Sequence, residues 1–130
     1  MIQRLLGMTA ALAVSNVFFH AGDALAMSLR AETMAGRLGA IALAVGIMVA
    51  GMVGSRIWFP RPFFHGYLVA TGLFLSFDII MLHWIFQLHR LSSGPEANVL
   101  EPIFVLLGIG FLIYGVRSER AKVRVPGVAP

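Results

Sequence analysis

Two histidines, His83 and His89, follow an aspartate, Asp78, near the end of a long apolar run. Imidazole and carboxylate are donors for zinc, copper, iron or nickel, and a carboxylate that does not itself ligate commonly fixes the tautomer of a histidine that does. A further imidazole, His20, and two carboxylates, Asp23 and Glu101, stand in other parts of the chain. These residue types point to transition-metal binding. The candidate ligands are His83, His89, Glu101 and His20, with Asp78, Asp23 and Asn16 as supporting groups.

The absence of cysteine narrows the chemistry further. There is no thiolate ligand or nucleophile, and no CxxCH for covalent haem. Non-covalent haem b, with His20 and His83 as axial ligands, is a variant of the same idea. Met27 and Met81 are donors that a softer copper(I) ion would accept. No nucleophile stands at a recognisable spacing from a base, so the chain does not read as an enzyme.

The elements that must position these residues are membrane helices. Of the 130 residues 58% are hydrophobic and only 12% charged, against roughly a quarter charged in an ordinary soluble domain. Four apolar stretches reach or approach the roughly 20 residues that cross a bilayer, over 5–27, 37–58, 63–88 and 99–116, followed by a basic tail over 117–130. The expected architecture is all-α, a single membrane domain over 1–130 built as a four-transmembrane-helix bundle. A net charge of +4 would suggest nucleic acid in a soluble chain, but here the basic residues lie between and after apolar segments, as topology signals do. Nucleic acid is not an expected partner; the lipid bilayer is.

Arg4, Arg56, Arg61, Arg117, Arg120, Lys122 and Arg124 lie on one side of this topology and only Arg30, Arg37 and Arg90 on the other, which places both termini in the cytoplasm. His20, Asp23, His83, His89 and Glu101 then converge on the outward end. Asn16 and Asp78 lie deeper. Arg4, the apolar run after it and the Ala24-Leu25-Ala26 triplet also fit a cleaved signal peptide over 1–26, whose loss would remove His20 and Asp23.

Helical phase sets a finer expectation. Asn16, His20 and Asp23 fall on one stripe of the first helix, a stripe expected to face protein. Asp78 and His89 share a face of the third about 16 Å apart, with His83 off that face and Gln87 one turn beyond it. His65 is about 27 Å from His83, an interfacial histidine near Arg61. Trp58, Trp84 and Tyr67 suit an aromatic belt, and the basic tail suits anionic headgroups. Ala42, Gly46, Ala50 and Gly54 make a small-residue stripe on the second helix, and Gly7, Ala11 and Ser15 one on the first, expected to pack those two helices together, with a homo-oligomer seam as the alternative. Pro102 is expected at the first position of the fourth helix.

The run from Gly72 to Leu91, with Asp78, His83 and His89, and the segment from Glu101 to Gly115 together resemble a bacterial and archaeal family of small four-helix membrane proteins known as a domain of unknown function. In that family an acidic residue and two histidines share one helix and an acidic residue opens the next. The resemblance covers about the second half of the chain; the order Asn16, His20, Gly22, Asp23 departs from the pattern in the first. It implies a multi-pass protein of the bacterial or archaeal inner membrane with a shared polar site, and no particular chemistry.

The functional expectation is an outward-facing site that binds copper, zinc or iron, in metal handling or in assembly of a respiratory metalloenzyme. A second reading makes the chain a structural accessory subunit of a larger membrane complex, its polar residues forming interhelical hydrogen bonds of about 0.6 kcal/mol each. A third, a small transporter or proton-conducting element, needs a polar path inward, for which the third helix offers only Ser76, Thr71 and Tyr67.

Overall fold

The computed structural model describes residues 1–28 and 32–120, with side chains for 1–21 and 32–118. Its regular structure is entirely helical: α1 (Ile2–Ser28), α2 (Met34–Trp58), α3 (Arg61–Leu73), a π-helical segment (Phe74–Ile85) that continues α3, and α4 (Ala97–Arg120). Ile2–Ala21, Met34–Trp58, Arg61–Ile85 and Ala97–Ser118 are long and apolar enough to cross a membrane. Large apolar side chains such as Leu43, Val53, Phe77 and Leu106 are exposed on the outside of the bundle, the surface a lipid phase would cover.

α3 and its π-helical continuation form the centre, with α1 on one side, α4 on the other and α2 against α1 and α3. Glycines decide how closely these helices approach. A Cβ on Gly7 would strike the Phe63 backbone, and one on Gly66 the Arg4 backbone, so α1 and α3 cross backbone to backbone. Farther along, a Cβ on Gly72 would stand 2.6 Å from the Gly108 carbonyl oxygen, which fixes the crossing of α3 and α4. The stripe of Gly7, Ala11 and Ser15 is therefore buried, against α3 and not against α2 as its spacing alone suggested.

The stripe on α2 corrects a second expectation. Ala42, Gly46 and Ala50 are exposed, and Gly54 is covered by the Trp58 ring of its own helix. α2 instead turns Ala44, Met48 and Ser55 inward, with Gly51 close against the Tyr67 hydroxyl of α3. Small residues fit a close crossing but do not choose the neighbour, and here the larger Met48 carries the contact.

Helix ends follow local chemistry. The Thr33 hydroxyl accepts from Gly36 N–H at 3.2 Å to cap α2. Pro60 and Pro62 bracket the start of α3, where Phe59 and Phe63 stack at 4.2 Å. α4 starts earlier than expected, because Ala97, Asn98 and Val99 N–H already bond the carbonyls of Gly94, Pro95 and Glu96. Pro102 consequently lies inside the helix, where its missing N–H leaves the Asn98 carbonyl without its helical donor.

Candidate metal centre

The third span does not keep α-helical winding to its end. From Phe74 to Ile85 its backbone is π-helical, bonding five residues back, and the change begins where the Ser76 hydroxyl donates to the Gly72 carbonyl at 2.6 Å. On an α-helix residues five apart point about 140° away from each other. In the π-helix they lie nearly above one another, which brings Asp78 Oδ2 to 3.6 Å from Nε2 of His83. The expectation that His83 lies off the Asp78 face fails for this reason.

His89 is not on the helix at all. Phe86 N–H bonds the Met81 carbonyl, Gln87 takes a left-handed φ of 52°, and Leu88 N–H returns to the Leu82 carbonyl at 2.9 Å, so the chain reverses just past Ile85. This is the closure that ends many helices, with glutamine where glycine is usual. The reversal lays His89 edge-on against His83, ring centroids 4.5 Å apart, in place of the expected 16 Å axial offset from Asp78. One donor atom from each of Asp78, His83 and His89 lies within 4.8 Å of the others.

Glu101 holds this arrangement from α4. Its carboxylate is fully buried, and both oxygens are fully employed. Oε1 faces His83 Nδ1 at 3.0 Å and accepts from Leu91 N–H at 3.1 Å. Oε2 accepts from Trp84 Nε1 at 2.9 Å and Arg90 Nη2 at 3.2 Å. A carboxylate has about four acceptor positions, and all four are taken. Glu101 is thus placed to orient His83, presenting Nε2 toward Asp78 and His89, and has no lone pair left for a metal. Asp78, expected as a supporting group, stands in the close donor group, and Glu101, expected as a ligand, hydrogen-bonds His83 instead of standing in it.

A cavity of about 20 Å³, enough for one water-sized ligand, opens beside these donors. Phe19, Phe74, Leu75, Ile79, Leu91 and Phe104 form its apolar wall, and His20, Asp78, His83 and His89 its polar end. His20 stands at the exposed rim, its ring centroid 5.9 Å from that of His89, and is outside the close donor group. His20 and His83 both line the cavity, and no methionine is among its described lining residues. One nitrogen, His89 Nδ1, is buried without a hydrogen-bond partner among the described residues.

The remaining candidates divide. Asn16 is exposed and its amide bonds the Leu12 carbonyl of its own helix at 2.9 Å, so it turns away from the site. The buried line of α1 runs one residue earlier, through Ser15 and Phe19. The side chains of Asp23 and Met27 lie outside the described residues, as does the tail beyond 120. His65, expected near the interface, is buried among its neighbours beside Phe64.

Several groups that matter were not visible as candidates. Trp84, which an aromatic belt would explain, is a hydrogen-bond donor to Glu101. Arg90 joins Asn98 at 2.8 Å to Glu101, and the Asn98 to Glu101 spacing of three at a helix start was a signal for it. On the other flank of the loop, Glu96 pairs with Arg37 of α2 at 2.5 Å and with the Ser92 hydroxyl, anchoring the segment that carries His89. That pair had no signal, since its partners are 59 residues apart.

No protein-family model matches the chain, and no curated protein or solved structure matches it either.

Proposed function

We propose that Asp78, His83 and His89 bind a divalent transition-metal ion within the membrane-spanning part of this protein. The observation that carries the reading is the convergence of two imidazoles and one carboxylate within 4.8 Å, backed by a buried glutamate on the far nitrogen of His83. Carboxylate, histidine and metal in series is the usual way a ligating imidazole is held in one tautomer. Tetrahedral coordination at 2.0–2.2 Å wants donors roughly 3.3 Å apart, so the 3.6 Å pair is nearly in place and His89 has the farthest to move. One carboxylate charge and two neutral imidazoles suit iron, zinc or copper(II) better than copper(I), which favours sulfur.

The positive-inside distribution supports an orientation with this site at the outward end, and the resemblance suggests a bacterial or archaeal inner membrane, a setting suited to metal handling or to assembly of a respiratory metalloenzyme. Elemental analysis of the full chain in mild detergent, after equilibration with iron(II), zinc and copper(II) in turn and desalting, tests the reading. One metal per chain, lost in His83→Ala and His89→Ala, is the expected result. A wild-type protein that stays metal-free with all three ions ends it.

A second reading has its own observation. The exposed face of Ala42, Gly46 and Ala50 fits a helix of another chain, as in an accessory subunit of a membrane complex. Gentle co-purification that recovers a stoichiometric partner, lost in Gly46→Leu and unaffected by His83→Ala, would support it.

A further inference from the structure

The donor group has a composition as well as a place. Two histidines and one carboxylate that leave other positions free are the ligand set of non-haem iron(II) sites which bind dioxygen. Closed structural sites fill the coordination sphere with protein donors, whereas sites that bind an exogenous ligand keep a position open. Among the described residues the protein supplies three donors, and the fourth candidates there are removed for different reasons. Glu101 has all its acceptor positions occupied, and His20 stands outside the group, at the exposed rim.

What lies in front of the donors then defines the ligand. The cavity holds one water-sized molecule, and six of its ten lining residues are apolar, with three phenylalanines among them. A charged ligand would have to leave water for that wall, at a cost of several kcal/mol. An organic substrate would have to project past the rim at His20. A neutral diatomic molecule satisfies both limits and already partitions into hydrocarbon, the phase outside this helix bundle.

Resting on the metal-binding reading above, we infer that Asp78, His83 and His89 hold iron(II) with an open position facing the Phe19, Phe74 and Phe104 pocket, and that a neutral diatomic ligand of the dioxygen and nitric oxide class coordinates there. The step is reversible coordination, with no bond of the ligand broken. Phe74 sets the size of the pocket, packed at 5.4 Å against Phe19. His20 stands exposed at its rim, outside the close donor group.

The test uses the full chain in detergent, loaded anaerobically with ferrous iron and then exposed to nitric oxide, with electron paramagnetic resonance as readout. A high-spin iron-nitrosyl signal accounting for most of the bound iron is the expected result. Phe74→Trp, which fills the pocket, should keep its iron and lose at least ten-fold in nitric oxide affinity, and His20→Ala should keep both. Iron bound at one per chain with no nitrosyl signal overturns the inference and leaves the metal-binding reading standing. A signal that appears only in His20→Ala overturns it as well, since His20 would then occupy the open position. Failure to bind iron while zinc binds sinks the iron assignment alone, and failure to bind any metal sinks the reading beneath it. Should Phe74→Trp misfold, Phe104→Trp fills the opposite wall, and unchanged nitric oxide affinity in a folded variant removes the cavity from the account.

Discussion

Asp78 and His83 are five residues apart and 3.6 Å apart, Oδ2 to Nε2, because the helix that carries them is wound as a π-helix. Neither residue is unusual by itself, but the winding makes a pair of them. Replacing Asp78 by Asn keeps the shape and removes the one anionic donor. Metal affinity should fall by at least ten-fold while helix content is unchanged, as read by competition with a chromogenic chelator and by circular dichroism. Unchanged affinity would mean that Asp78 does not ligate.

Glu101 carries a different expectation. Its Gln variant presents an NH₂ group where the wild type presents an acceptor, so the two groups on that oxygen, His83 and Leu91 or Trp84 and Arg90, lose their acceptor in a buried setting. Outer-shell partners of ligating histidines are worth roughly 10–100-fold in metal affinity. Glu101→Gln should lose that much and also unfold at lower temperature. Breaking the site without loss of thermal stability would contradict the satisfied geometry around this carboxylate.

How much of this was legible in the sequence depends on which physical rule each part obeys. Four apolar helices follow from composition and length, and the grouping of His83, His89 and Glu101 at one end follows from topology. The closeness of Asp78 and His83 is not legible from phase arithmetic, which takes 100° per residue through a segment that is π-helical. His89 was placed on a helix that stops before it, since nothing in glutamine's chemistry announces a left-handed Gln87. The stripe of Ala42, Gly46 and Ala50 was recognised but given the wrong neighbour, since smallness permits an approach without specifying it. Asn16 was read as site-facing from spacing alone, although its amide is satisfied by its own helix at Leu12.

Gln87 offers a direct check on the reversal. A non-glycine residue in the left-handed region costs about 1–2 kcal/mol relative to the right-handed one, and glycine avoids that cost. Gln87→Gly should therefore raise stability by up to about 1 kcal/mol with metal binding intact. Gln87→Val should lower stability and weaken binding together, because the β-branched side chain resists the turn that delivers His89. Denaturation in detergent with and without metal separates the two effects.

The loop after His89 is held by Glu96, whose carboxyl is kept down at about 2 by the hydrogen bond from Arg37, helped by the Ser92 hydroxyl. A carboxyl that titrates lower when folded lends stability that is complete above its ordinary value of 4.5 and fades as pH falls through about 2. Protease sensitivity of the 88–96 loop should therefore stay low down to pH 4.5 and rise below it in the wild type. In Arg37→Ala the loop should be cleaved faster at neutral pH, with little further change on acidification. A loop equally protected in both proteins at pH 7 would show that the Arg37 contact does not secure it.

The crossing of α3 and α4 ties the fold to the site. Gly108 lies where a Cβ would stand 2.8 Å from both the Gly72 carbonyl oxygen and the Ser76 amide, so neither backbone can yield without moving its helix. Gly108→Ala should push α4 outward, cost roughly 1–3 kcal/mol as over-packing does, and draw Glu101 away from His83. Gly46 and Gly110 are the controls, since a Cβ on either meets nothing within 4 Å. Their alanine variants should hold or gain stability, through a helix propensity worth about 0.5–1 kcal/mol. Metal titration across the three variants discriminates sharply. If Gly108→Ala binds metal as tightly as Gly46→Ala does, the close approach of α4 is not what keeps His83 oriented, and the support assigned to Glu101 must come from the Arg90 to Leu91 segment alone.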